Sequence, residues 1–213
     1  MRLRAVLPAR IGLTLAETRT LARLDTPTRI QDFVDAIPHN FEVGGETYLP
    51  VREVLRQRRA HCLEGALLSA CALWLHGDPP LLLDLKAEQD VDHVLAVYRR
   101  NGLWGAISKT NHVWLRFRDP VYRTLRELAM SYVHEYHNQR YRKTLRSYSG
   151  TLDLRRFDPA QWVTGPRKCI AVVEALDFSR HYPLFPPRLA KTLRRRDALE
   201  RRANALLWHD RKS

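Results

Sequence analysis

Apolar and polar positions divide the chain into short elements. Leu15 to Leu24 reads as a helix with Thr14 as its N-cap. A second helix starts around Pro27, capped by Thr26 or Thr28; it carries the stripe Ile30, Phe33, Val34 and Ile37, and Pro38 follows its end. Phe41 to Tyr48 reads as a loop or short hairpin turning at Gly44-Gly45, and Val51 to Arg59 as a short, very basic helix. The strongest helical pattern is Cys62 to His76. There Leu63, Ala66, Leu67, Ala70, Cys71, Trp74 and Leu75 recur at three and four, which predicts one broad buried face. Gly77 and Asp78-Pro79-Pro80 end it.

Leu81 to Leu85 reads as a short, predominantly apolar strand, and Val91 to Arg100 alternates like a second. Asn101-Gly102 signals a two-residue hairpin turn, with Leu103 to Ser108 as the return strand. This turn sets Leu95 opposite Ser108 and His93 opposite Thr110, all on one face. Further on, the pattern predicts a third strand at His112 to Phe117 and a helix at Tyr122 to Tyr136. Residues 138–167 are mixed and loop-rich, and Lys168 to Leu176 reads as a strand or short helix. After a break at Pro183, Pro186 and Pro187, Arg188 to Trp208 reads as a basic amphipathic helix bearing Leu189, Leu193, Leu199, Leu206 and Leu207.

Composition narrows the classes. With 213 residues, 45% hydrophobic and 28% charged, the chain suits one domain with a helical extension, able to bury a core without disulfides. No apolar run nears the ~18 residues of a membrane span, and Met1 to Arg10 lacks the apolar stretch of a secretory signal. A cytoplasmic protein is expected. The three cysteines, Cys62, Cys71 and Cys169, form no Cys-x-x-Cys pair, so reduced thiols are expected rather than a disulfide framework or thiolate zinc site. The net charge of +13 raises the question of nucleic acid, but arginine dominates its basic residues, 30 against 6 lysines, as codon bias would give. The excess concentrates after Pro187. That segment is either a site for an anionic partner or a helix docked by its leucines with its arginines in water.

The chemistry centres on Cys62, a thiol in the first turn of the long helix, where free amides and the helix dipole favour thiolate. About thirty residues on, His93 sits on a strand, and the hairpin returns Ser108 beside it. That is the layout of a thiol nucleophile, an imidazole base and a group that fixes its tautomer. Cys71, nine residues along, faces the opposite side of the helix and is read as core; Cys169 is read as structural. His61 is an alternative base, but adjacent helical residues point 100° apart. His112, just beyond the hairpin, reads as structural or as lining the same cleft, and His134 and His137, at i, i+3 without a third ligand, as a surface helix end. Arg52, Arg56, Arg58 and Arg59 read as a solvated face, and Tyr98, Trp104 and Trp114 as core and cleft wall.

Arg59 to Ala66, Asp92 to Tyr98 and Asn101 to Ser108, with the lead-in helix Thr28 to Ile37, resemble the transglutaminase-like superfamily over roughly residues 25–125. In that family a cysteine opens a helix, a His strand follows, and a turn leads to a Trp-bearing strand and an acidic residue. The resemblance implies an α+β fold with a cysteine-protease-like core, a nucleophile helix packed on a small antiparallel sheet. The corresponding organisation is a lead-in at 1–24, the transglutaminase-like domain at 25–180 and a basic helix at 187–213. It further implies acyl transfer on amide or peptide bonds through a thioester on Cys62, with His93 as base and then acid, Ser108 orienting it, and water as acceptor. A protein or peptide substrate is implied, and neither metal nor organic cofactor is required. Ser108 stands where the family usually has Asp; Asp90, Asp92 and Asn111 are the other candidates for its role. The alternatives are a catalytically decayed binding or scaffold module, and a nucleic-acid-binding protein.

Overall fold

The computed structural model describes residues 7–166 and 168–209. Parts of the expected N-terminal lead-in and basic C-terminal segment lie outside the described residues.

Local signals start the first helices where the sequence places them. Helix α1 (Leu7–Arg10) leads into α2 (Leu15–Ala22), where Thr14 accepts from the Glu17 amide and Glu17 accepts from the Thr14 amide. Helix α3 (Pro27–Ala36) is capped by Thr26, with Pro27 in its first turn. Helix α4 (Val51–Gln57) precedes α5 (Cys62–Leu75). The expectation of one buried face on α5 falls short: twelve of its fourteen residues are buried. The reason is its place, with α2, α3 and α4 packed on it from one side and the sheet from the other.

The sheet is antiparallel, in the order β4 (Arg118–Tyr122), β3 (Leu103–Ile107), β2 (His93–Arg100), β1 (Leu81–Ala87), β5 (Leu145–Ser149) and β7 (His181–Pro183), with β6 (Leu152–Asp153) also on β1. Both faces are covered. Leu82, Val94 and Ala96 join the core under α5, whereas Leu83, Leu85, Leu95 and Val97 pack with Tyr132 and Leu128 on the other side. This double burial explains the apolar run of β1, which is not all-apolar: Asp84 interrupts it as a buried carboxylate before Lys86. The hairpin register is as expected as far as it runs: Val97 pairs Ala106 and Ala96 pairs Ile107, after which β3 ends. Asn101 (φ 51°) and Gly102 (φ 81°) form the turn.

Three expected elements differ. Residues 112–117 are not a strand; β4 starts at Arg118, and the loop before it carries the Leu115 carbonyl into the site. The helix expected at Tyr122 to Tyr136 is α6 (Leu125–Met130), capped by Thr124 and followed by turns. Lys168 to Leu176 resolves to helix α8 (Ile170–Asp177), after α7 (Pro159–Trp162).

The continuous basic helix at Arg188 to Trp208 is also overturned. It is two short helices, α9 (Pro187–Ala190) and α10 (Ala198–Asn204), the second restarted by an Asp197–Glu200 capping box. Leu189, Leu199, Leu206 and Leu207 stay exposed; the buried side chain is Arg196, laid over Trp114. Among the described residues, no helix is long and apolar enough to cross a membrane.

Candidate active site

Cys62 is the first residue of α5, so its backbone amide and the next lack intrahelical acceptors. Its sulfur lies 3.9 Å from Nδ1 of His61, the residue just before the helix, and His93 at the start of β2 lines the same cleft. Burial alone would raise the thiol. The hydrogen bonds and charges of His61 and His93 outweigh it and hold Cys62 well below the usual thiol range.

His93 Nε2 lies 2.8 Å from Ser108 Oγ. The Ser108 hydroxyl donates to the Leu115 carbonyl, so its oxygen accepts from His93 Nε2–H. This chain fixes the tautomer, with the proton on Nε2 and the Nδ1 lone pair free to accept one. Ser108 is itself clamped: Gln31 of α3 donates to its carbonyl and accepts from its amide, both at 2.9 Å. The other candidates for the orienting role are engaged elsewhere. Asp92 accepts from the Ala87 amide, Asp90 from Thr144, and Asn111 bonds His209.

His61 has the carboxylates that His93 lacks. Its Nε2 lies 3.4 Å from both Glu42 and Glu64. Burial opposes the imidazolium, yet the bonds and charges of Cys62 and Glu64 push it up to about 10. Glu64 is fully buried and accepts from Asn40, Thr47 and the amides of Leu49 and His61. Burial would raise its carboxyl, but the His61 bond and charge, then Asn40 and Thr47, bring it down to about 2. Glu42, His61 and Glu64 gather ligand atoms within 4.8 Å of one another, a set whose composition could hold a cation. The protonated imidazole already occupies the place of that charge, and Glu64 is saturated with donors.

Cys62 opens onto a cleft of two lobes, about 530 and 330 Å³, which share Glu42, His61, Cys62, Val91 and Asp92 in their walls. The larger continues past His93 to His112, Trp114 and His137. In it, Trp114 Nε1 and His137 Nε2 have no hydrogen-bond partner. Of the two readings of His112 it is the cleft wall that the structure shows, and His137 of the supposed surface pair lines the cleft too; His134 instead meets Lys143. Residues 207–209 fold back on the segment after β3: Leu207 bridges to His112, and the Asn111 side chain bonds both polar groups of the His209 backbone. Cys71 and Cys169 are buried and burial pushes both thiols up to about 12. Arg52 pairs with Glu17 and Arg56 with Glu53.

Sequence reading missed Gln31, Glu42 and Glu64. A glutamate three residues after a helix start is a capping signal that points to Glu64; Gln31 and Glu42 lie in other segments and carry no local signal. In comparisons with known proteins, no family model and no curated sequence matches the chain.

Proposed function

We propose that the protein is a cysteine acyl-transfer enzyme of transglutaminase-like type, with a cysteine-protease-like core, that cleaves amide bonds through a thioester on Cys62 with water as acceptor. One observation carries the reading: a thiol at a helix start, on the floor of a cleft, is held between two imidazoles of different backing. His61, backed by Glu42 and Glu64, stays charged through the neutral range and stabilises thiolate. It is therefore not free to take a second proton, and His93 is the group that moves one. Cys62 attacks the carbonyl carbon as thiolate, its proton having already passed to the His93 ring. The first amides of α5 face the developing oxyanion. His93 then returns the proton to the leaving amine. Ser108 and the Leu115 carbonyl hold the ring in register, and His61 adds its positive charge to stabilise the thiolate rather than the imidazole.

The reading is tested with p-nitrophenyl acetate. The wild type should release a burst of about one p-nitrophenolate per chain, with acetyl found on Cys62 by mass spectrometry. Cys62→Ala should show no burst, and His93→Ala should slow it at least about 100-fold. An unacylated Cys62 would contradict the enzyme reading and leave that of a binding module. Ser108→Ala removes a hydrogen bond of about 1–3 kcal/mol in orienting value. The burst rate should fall about ten- to a hundredfold, with the amplitude retained.

A further inference from the structure

We propose that Asp84 and His181 form a second acid–base pair that activates the acceptor water against the Cys62 thioester from the smaller lobe of the cleft. This rests on the acyl-transfer reading of Cys62.

The strand ladders build the pair. The Asp84 amide of β1 donates to Ser149 Oγ of β5 at 2.9 Å, and Ser149 pairs with His181 of β7. The three residues form a row across the sheet. The small serine between them lets His181 Nε2 come within 2.9 Å of Asp84 Oδ2. His181 Nδ1 lies 2.8 Å from the Ser179 carbonyl. A neutral imidazole has one N–H for these two acceptors, so the pair retains one proton between Nε2 and Oδ2. Asp84 is 3% exposed, yet it reaches the wall of the 330 Å³ lobe that also contains Cys62. A buried ion pair that served only to pin β7 would be a costly fastener. Placed in the wall of the nucleophile's own cleft, it has a proton acceptor's position.

Several charges face Asp84. His181 comes from β7, Lys86 from its own strand, Asp92 from the β1–β2 connection and Asp177 from α8, with Glu42 and Glu46 further along the lobe. Burial first, with Asp92 adding to it against His181 and Lys86, raises the Asp84 carboxyl to about 6. Once the shared proton is lost, the pair is a base. The water oxygen attacks the thioester carbonyl carbon while its proton passes to Asp84. The carbon–sulfur bond breaks, its electron pair returns to Cys62, and the acid product leaves. His93 keeps the first half of the reaction.

Stopped-flow and steady-state kinetics with p-nitrophenyl acetate separate the halves. Asp84→Asn should retain the burst but slow the second phase at least tenfold, so that acetylated Cys62 accumulates in the mass spectrum. His181→Gln should act in the same direction. In the wild type, the second-phase rate should rise with pH through an inflection near 6, lost in Asp84→Asn. If Asp84→Asn does not fold, loss of the same inflection in His181→Gln decides the matter. A second phase unchanged in both variants, or a wild-type profile with no inflection near 6, overturns the proposal while leaving the burst to speak for Cys62. The absence of any burst overturns the acyl-transfer reading itself.

Discussion

Glu64→Gln should lower the melting temperature by about 6–12 °C, the equivalent of about 3 kcal/mol in a chain of this size. Glu64 is fully buried and every donor around it points at an oxygen: Asn40 Nδ2, Thr47 Oγ1 and the amides of Leu49 and His61. A glutamine must turn an NH₂ group toward one of those donors, and it withdraws the charge opposite His61. The effect has a pH signature. A carboxyl held at about 2 against the usual 4.5 stabilises the folded state above pH 4.5. That contribution is lost as pH falls from about 4.5 through 2. Over that window the wild type should lose stability from this group and Glu64→Gln should not. Urea midpoints of the two proteins, compared at successive pH values, measure it. The same variant should raise the apparent pKa of Cys62, because His61 loses its counter-charge.

Gly65→Ala should destabilise the protein by about 1–3 kcal/mol and impair the burst as well. A Cβ at this position would lie 2.4 Å from Lys109 Cβ and 2.9 Å from Lys109 Cγ. Lys109 cannot swing aside. It is 1% exposed, and its ammonium donates to the Ile37 carbonyl at the end of α3. It also follows Ser108 directly, so any shift that relieves the clash moves the residue that orients His93. The double-mutant cycle with Lys109→Gly should show strong coupling, the alanine at 65 costing much less when Cβ and Cγ of residue 109 are both gone. Additive effects on the urea midpoint would contradict this contact as the cause.

The parts of the fold that were legible in the sequence were those carried by local chemistry. Thr14, Thr26 and Asn101-Gly102 set helix starts and a turn within a few residues of themselves, and the hairpin register followed from the turn alone. That register was enough to bring Ser108 to His93, so the serine could be named. What was not legible came from distant segments. Gln31 and Ser108 are 77 residues apart, and Asp84 and His181 are 97 apart. No periodicity reports such a pairing. Helical spacing would point His61 away from Cys62; as the residue before the helix it is extended instead and its Nδ1 lies near the sulfur. The C-terminal helix failed for a readable reason. Asp197 and Glu200 form a capping box inside the supposed helix, a start signal that outranks loosely spaced leucines. The strand expected at 112–117 failed because its backbone serves the site, Leu115 with positive φ and its carbonyl on Ser108.

The most direct test is the rate of iodoacetamide alkylation of Cys62 against pH, with the labelled cysteine assigned by mass spectrometry. If two imidazoles hold the sulfur as thiolate, alkylation stays fast well below the ordinary thiol value of about 8.5. His61→Ala should then move the inflection up by more than about one unit, and His93→Ala by less. A Cys62 that titrates at the ordinary value and responds to neither histidine would contradict the account.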